Sequence, residues 1–192
     1  MKRILIICSA LFISIFSIAQ QPEGLLVGSK APDFTLNDQS GNSFQLKKES
    51  KDKTVILIFY RGQWCPYCSK QLKGLNDSMQ LISEKGATVV AVTPEVPENV
   101  AKTIEKTKAS FLILSDSGLK VMSDYKVAFA VDAETIERYK KYGIDFDKAN
   151  GVNGANLPVP AVYIIKNGKI VWRYFDKDYR KRPSVNEIAA QL

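Results

Sequence analysis

The residues of this sequence that could do chemistry begin with two cysteines, Cys65 and Cys68, in the stretch VILIFYRGQWCPYCSKQLKGL. The chain has one other cysteine and no histidine. Two cysteines at this spacing can form a structural disulfide, supply half of a metal site, or act as a redox-active dithiol. A dithiol of this kind would react with a protein disulfide or with a peroxide.

The metal and structural-disulfide alternatives fit the composition poorly. A zinc site needs four ligands, usually two cysteine pairs or one pair with histidines, and the chain has no histidine. A structural disulfide stabilises most by closing a long loop, whereas a ring between Cys65 and Cys68 would constrain little. We therefore expect a redox pair, with no metal and no other cofactor.

The local sequence predicts different roles for the two sulfurs. Cys65 falls where an apolar strand ends and a helix begins, so the free N–H groups and the positive end of the helix dipole favour a thiolate there. In such settings thiol pKa values fall from ~8.5 to as low as ~3.5. Cys68 shares the apolar helix face with Leu72 and Leu75, so we expect it to be more buried, to keep its proton and to react second. Arg61 is the candidate cation for activating Cys65, because no histidine is available.

Hydrophobic periodicity supplies the elements that must position this pair. The segments GSKAPDFTLND and NSFQL predict an N-terminal hairpin. The apolar runs TVILIFY, ATVVAVTP and SFLILSD predict buried strands, each followed by a helix. The first of these helices should run from the cysteine pair to Gly86, and the second should begin at Pro97. This alternation favours an α/β fold in which helices cover a mainly parallel sheet.

The C-terminal part of the chain breaks the alternation. Residues 131–157 predict an inserted segment with a helix from Ala133 to Tyr142 and then the loop KANGVNGAN. The run AVYIIKNGKIVWRYF predicts a hairpin with an Asn-Gly turn. Ser184, followed three residues later by Glu187, predicts the capped start of a final helix.

The first 19 residues form a separate segment in our interpretation. Two basic residues precede an apolar stretch that ends in Ser-Ile-Ala, a pattern typical of a cleaved secretory signal. The apolar run is short for a membrane span. We therefore expect cleavage after Ala19 and an exported protein, periplasmic or otherwise extracytoplasmic, with membrane attachment only if the signal stays uncleaved. Cys8 would be lost with this segment.

A formal net charge of +7 makes nucleic acid a partner to consider. The densest basic run, KDYRKRPS at residues 177–184, also contains an aspartate and a tyrosine. With an export signal ahead of it, this run is more simply a solvated surface. We therefore expect no nucleic-acid binding.

Five segments occur in an order and spacing that point to a known family: GSKAPDFTL, VILIFYRGQWCPYCSKQL, AVTPE, ILSDSG and LPVPAVYIIKNGKI. Together they resemble the peroxiredoxin-like branch of the alkyl hydroperoxide reductase / thiol-specific antioxidant (AhpC/TSA) family, within the thioredoxin superfamily. The resemblance covers residues 26–192 and implies a thioredoxin-like fold with a central mixed sheet flanked by helices. It implies that Cys65 is the nucleophile and Cys68 the resolving cysteine. It also implies that Val159-Pro160 is a cis-proline element facing the pair.

The sequence departs from its relatives at positions that matter for the substrate. Peroxidases of the family carry P-x-x-x-T-x-x-C, whose threonine orients the peroxide, whereas Ile58 and Gly62 hold those two places here. The second peroxidase arginine falls on Pro160. Thioredoxins bury an acid six residues before the first cysteine, where this chain has Phe59. Disulfide exchange tolerates that last change, because it needs mainly thiolate character and access.

These observations predict an exported antioxidant thiol oxidoreductase that reduces peroxides through its dithiol and is regenerated by a thioredoxin-type donor. A thioredoxin-like protein-disulfide reductase is the first alternative. The second is a non-enzymatic binding module with an idle disulfide, in which Trp64 and the Gly/Asn-rich loop form the docking surface. The predicted substrate-binding or thiolate-activating residues are Arg61, Trp64, Val159 and Pro160.

Overall fold

The computed structural model describes residues 21–38 and 40–192, and the predicted signal segment lies outside these residues. The strands are β1 (Thr35–Asn37), β2 (Ser43–Gln45), β3 (Thr54–Phe59), β4 (Ala87–Thr93), β5 (Leu112–Ser115), β6 (Ala128–Ala130), β7 (Asn156–Pro158), β8 (Ala161–Lys166) and β9 (Lys169–Phe175). The helices are α1 (Leu46–Asp52), α2 (Pro66–Asp77), α3 (Met79–Glu84), α4 (Pro97–Thr107), α5 (Lys120–Asp124), α6 (Ala133–Lys141), α7 (Phe146–Asn150) and α8 (Val185–Ala189). Within this part of the chain, no helix has the length and apolar character needed to cross a membrane.

The central sheet has five strands in the order β5-β4-β3-β8-β9. Strands β3, β4 and β5 run parallel, as expected for strands joined by helices, while β8 and β9 form the antiparallel hairpin predicted around the Asn-Gly turn. Asn167 and Gly168 both have positive φ in this turn, +49° and +70°. The predicted mixed α/β sheet flanked by helices is confirmed, and β1 pairs with β2 as the expected N-terminal hairpin.

The sheet separates two apolar cores, because successive side chains of a strand point to opposite faces. On β3, Val55, Leu57 and Phe59 face one core, together with side chains from the N-terminal hairpin and α5. Ile56 and Ile58 face the other core, which holds the apolar side of α2 and both cysteines. The cysteine pair therefore lies on the face of the sheet that α2 covers.

The long helix predicted after the cysteines is interrupted in the structure. Ser78 leaves the helical conformation, with φ −115° and ψ 15°, and separates α2 from α3. Near this break Asn76 Oδ1 accepts hydrogen bonds from Ser110 N and Ser110 Oγ at 2.8 and 2.9 Å, which joins the end of α2 to the loop before β5. Apolar spacing alone did not reveal this tertiary contact. The predicted capping box of α8 is confirmed, with Ser184 and Glu187 bonded reciprocally.

The inserted segment of residues 131–157 is more structured than expected. Its predicted helix is present as α6, and a second short helix, α7, extends into the start of the Gly/Asn-rich stretch. Strands β6 and β7 pair across the base of the insertion. Three-residue strands carry too little periodicity to be recognised from sequence, which is why this pairing was missed.

Candidate active site

Cys65 lies at the predicted junction between β3 and α2. It is the N-cap residue of α2, Pro66 occupies the first helical position, and Cys65 N donates to Gly62 O at 3.1 Å. Cys68 follows in the first turn, and both cysteines are free thiols. Their Sγ atoms are hydrogen-bonded at 2.8 Å. The two sulfurs are therefore coupled and titrate as a pair.

Neither cysteine is open to bulk solvent. Cys68 is fully buried and Cys65 is 1% exposed. As expected, Cys68 is more buried than Cys65, but their exposed fractions differ only slightly. Any substrate or reductant larger than a small molecule must therefore displace neighbouring side chains to reach Cys65.

Hydrogen bonds and nearby positive charges shift the pKa values of the two thiols in opposite directions. Burial opposes a charge on Cys68, but the hydrogen bond with Cys65 and the nearby Arg182 guanidinium lower the pKa of Cys68 to about 6. The hydrogen bond with Cys68, followed by burial, raises the pKa of Cys65 against a smaller lowering effect of Arg61. Arg182 thus favours a negative charge on Cys68, an effect that the helix terminus alone did not predict.

Arg182 is the functional residue that sequence reasoning missed. Its Nη2 lies 3.7 Å from Cys68 Sγ, although the two residues are 114 positions apart. The basic run that contains it was predicted to be a solvated surface. That prediction is wrong for Arg182, because this run folds back over the start of α2 and the Arg182 side chain contacts Cys68. Tyr179 stays exposed on one side while its ring packs against Arg61.

Arg61, the predicted cation, is held in an aromatic cage. It is 5% exposed, and its Cζ lies 4.1 Å from the Tyr179 ring centroid, 4.9 Å from Trp64 and 5.5 Å from Tyr139. Its Nη2 donates to Tyr139 Oη. Among the described residues, Nε and Nη1 have no hydrogen-bond partner. The cage keeps an uncompensated guanidinium beside Cys65, and two of its donors remain available.

Trp64 joins the site to the inserted segment. Its ring packs edge-to-face against Tyr139 of α6 at 5.3 Å and Phe146 of α7 at 5.8 Å. The insertion therefore forms one wall of the site, which the sequence left undetermined.

Val159 and Pro160 lie where β7 passes into β8, and with Arg61 they line a cavity of about 270 Å³. The expectation of a cis bond between them is wrong, since every peptide bond of the described residues is trans. Val159 N donates to Val127 O at 2.8 Å, which carries the β6–β7 pairing one residue further and leads the chain straight into β8. An extended path of this kind is compatible with the trans isomer, which X-Pro bonds prefer by about 0.5–1 kcal/mol.

Glu95 is a buried acid beneath the loop that precedes Cys65. Both of its carboxylate oxygens lie 2.9 Å from Gln63 N, which donates to them. Burial raises the pKa of Glu95 to about 8. The sequence offered this residue within AVTPE, but no spacing rule connected it to the cysteines.

The carboxyl group of Glu95 also explains the residue at position 62. A Cβ at Gly62 would lie 2.5 Å from Trp64 Nε1 and 2.7 Å from Glu95 Oε1. The space beside position 62, where family peroxidases carry threonine, is therefore filled by the side chains of Trp64 and Glu95. A side chain at this position would force Trp64 or Glu95 to move.

Comparison with known proteins agrees with this architecture. A family model described as "AhpC/TSA family" matches residues 27–173. Chloroplastic peroxiredoxin Q of Sedum lineare is 37% identical over 52% of this chain and 53% of its own length. Thiol-disulfide oxidoreductase ResA of Bacillus cereus is 29% identical over 65% of this chain and 72% of its own. The chain thus spans about half the length of the peroxiredoxin Q relatives it matches.

Solved structures agree on the fold. Reduced Prx3 from Vibrio vulnificus, a structure in complex with H2O2, superposes with a TM-score of 0.68 at 16% identity. The superposition covers 86% of this chain and 97% of that one. Because the family model covers most of the chain and the fold is the one the family adopts, the chain belongs to the AhpC/TSA family.

Proposed function

We propose that the protein is a thiol-dependent peroxidase whose redox centre is the Cys65–Cys68 dithiol. The observation that carries this proposal is the hydrogen-bonded sulfur pair, 2.8 Å apart, with one arginine beside each sulfur. Membership of the AhpC/TSA family and the similarity to proteins named peroxiredoxin support it.

The charges of the site suggest the first half of the reaction. The singly ionised pair reacts through its minor tautomer, in which the proton has moved along the shared hydrogen bond from Cys65 to Cys68. The Cys65 thiolate then attacks the terminal oxygen of a hydroperoxide and breaks the O–O bond. This leaves a sulfenic acid on Cys65 and an alkoxide, which takes the proton back from Cys68 and departs as the alcohol. Arg61, with two free donors, is placed to stabilise the negative charge on the leaving oxygen.

The second half closes and reopens the disulfide. The Cys68 thiolate attacks the Cys65 sulfur and expels hydroxide, which is protonated by solvent to water. A thioredoxin-type donor then attacks Cys65, the sulfur nearer the surface, and releases Cys68 as the thiolate. A second donor thiolate resolves the mixed disulfide, which restores the dithiol.

Burial of the pair favours a small substrate over a protein. With Cys65 1% exposed, a protein disulfide cannot contact the sulfur in this conformation, whereas a peroxide requires a much smaller displacement of the covering side chains. A protein-disulfide reductase is the second candidate. The observation that favours it is Gly62, since no side chain fits where a peroxide-orienting threonine would stand.

The two candidates predict opposite outcomes when the reduced protein is mixed with stoichiometric oxidants. We expect hydrogen peroxide or an alkyl hydroperoxide to oxidise it at least about a hundredfold faster than a free thiol of similar ionisation, because the site holds the thiolate and the leaving oxygen among positive charges. Stopped-flow tryptophan fluorescence measures the rate, and an insulin-type disulfide serves as the competing substrate. If peroxide oxidises the protein only at the rate of a free thiol, and the disulfide is reduced rapidly, the peroxidase proposal is contradicted and the reductase is supported.

We also propose that the protein is exported and that the signal is removed after Ala19. The support is the sequence pattern of the first 19 residues. Expression in a bacterium with a periplasm should yield a mature chain beginning at Gln20, measured by intact mass and N-terminal sequencing of the periplasmic fraction. A full-length chain in the cytoplasmic fraction would contradict the proposal.

A further inference from the structure

The segment between β9 and α8, residues 176–183, passes across the start of α2, and we call it the strap. Its Tyr179 ring covers the Arg61 guanidinium at 4.1 Å and meets the Tyr67 ring at 5.8 Å. Three positions further on, Arg182 Nη2 lies 3.7 Å from Cys68 Sγ, and Cys68 is fully buried. The strap is thus anchored on both sides of the dithiol.

Arg182 is held in a geometry that directs its charge toward the sulfur. Its Nη1 donates to Lys181 O at 2.8 Å and to Tyr179 O, which fixes the guanidinium against the strap's own backbone. Its Nε is buried and has no hydrogen-bond partner among the described residues. Within that part of the chain, Arg182 enters no ion pair with a carboxylate.

Its neighbour Arg180 differs on each of these points. Arg180 is exposed and bonds to Asp178 through Nε and Nη2, both at 2.9 Å. Its charge is therefore matched on the surface of the strap. The two arginines give a natural comparison, since they lie two residues apart in one segment and only Arg182 contacts a sulfur.

We propose that Arg182 is a positioning residue that stabilises the thiolate form of Cys68, supplied by the strap rather than by the residues around the cysteine pair. The proposal rests on the proposed peroxidase cycle for its purpose, because Cys68 must be a thiolate to attack the sulfenic acid and must leave as one when the donor opens the disulfide. In both steps the positive charge 3.7 Å away stabilises that thiolate.

The hydrogen bond from Cys65 and the backbone N–H of Arg61 also favour a negative charge on Cys68. Glu95 and the Tyr60 hydroxyl oppose it when they are ionised, and the Arg61 side chain acts on Cys65. Among the charged side chains of the described residues, Arg182 is the one that contacts the Cys68 sulfur. The charged and titratable groups surrounding the two sulfurs are Tyr60, Arg61, Glu95 and Arg182.

The test is a titration of the reduced, full-length protein and its Arg182→Gln, Arg182→Lys and Arg180→Gln variants. Thiolate absorbance in the ultraviolet and the rate of alkylation by iodoacetamide are followed against pH. In Arg182→Gln we expect the first midpoint of the pair to rise by about one pKa unit, a tenfold loss of thiolate below the midpoint. Arg182→Lys should recover most of this change, and Arg180→Gln should titrate like the parent protein.

Two results would overturn the proposal. One is an unchanged midpoint in Arg182→Gln, and the other is an equal change in Arg180→Gln, which would indicate a general effect of surface charge. If Arg182→Gln does not fold, as judged by circular dichroism, the Arg182→Lys variant is compared with the parent protein instead. A folded Arg182→Lys variant whose midpoint is raised by a full unit or more would argue against charge stabilisation. The titration uses no peroxide, so it tests the role of Arg182 independently of the result of the peroxidase assay.

Discussion

Replacing Cys65 with serine should abolish turnover of both peroxide and disulfide substrates, by on the order of 10³-fold or more, because the serine hydroxyl is not ionised near neutral pH. Steady-state assays with a thioredoxin-type donor measure the loss. The hydroxyl is close in size to the thiol, so the apolar core around α2 should remain intact, and thermal unfolding provides that control.

Cys68→Ser is the matched variant for this prediction, because it removes the second sulfur and keeps the first. It should still react with peroxide, more slowly than the parent protein since the Cys65 proton has lost its acceptor. The product should be a lasting sulfenic acid on Cys65, detected by mass spectrometry after trapping with a carbon nucleophile specific for that group. If peroxide modified Cys68 in the Cys65→Ser variant as fast as it modifies Cys65 in the parent, the roles of the two sulfurs would be exchanged. If Cys65→Ser left both activities unchanged, the chain would be a binding module with an idle pair.

The largest expected effect on stability belongs to Glu95. Burial raises its pKa to about 8 from an ordinary value of 4.5. Between these two pH values the folded protein holds a proton that the unfolded chain has released, so the free energy of unfolding falls as pH rises. The contribution is fully present below pH 4.5 and is lost by about pH 8. Integrated over this window, the loss is on the order of 4 kcal/mol.

Glu95→Gln should remove this pH dependence, because the amide is neutral throughout and its oxygen can still accept from Gln63 N. Urea unfolding of the parent and the variant, measured from pH 4.5 to pH 8, gives the difference in free energy directly. Relative to the parent protein, the variant should gain stability steadily as pH rises. Glu98→Gln, at an exposed position in the first turn of α4, is the control and should show no such trend. A flat difference curve for Glu95→Gln would mean that Glu95 is already ionised in the folded protein near pH 4.5.

Much of the fold was predictable because it depends on residues that are close in sequence. Apolar runs of six or seven residues identified β3 and β4, and the Asn-Gly turn identified the β8–β9 hairpin. The capping box of α8 needed only two residues three apart. Where the structure differs from the prediction, the element is short, or a contact with a residue distant in sequence lies at its end. The pairing of β6 with β7 and the break at Ser78 are of this kind.

The sequence by itself predicted the chemistry proposed for the site and determined its place in the fold. Two cysteines at a strand-to-helix junction, in a chain without histidine, leave a redox dithiol as the chemistry that fits. Only the tertiary structure brought Arg182 to Cys68, from 114 residues away, and Glu95 to Gln63, from 32 residues away. It also decided that the Val159-Pro160 bond is trans and that the inserted segment packs against the site, through the contact of Tyr139 with Trp64. The physical reason is that helix and turn signals act along the chain, whereas the electrostatic energy of a buried thiolate depends on distance through space.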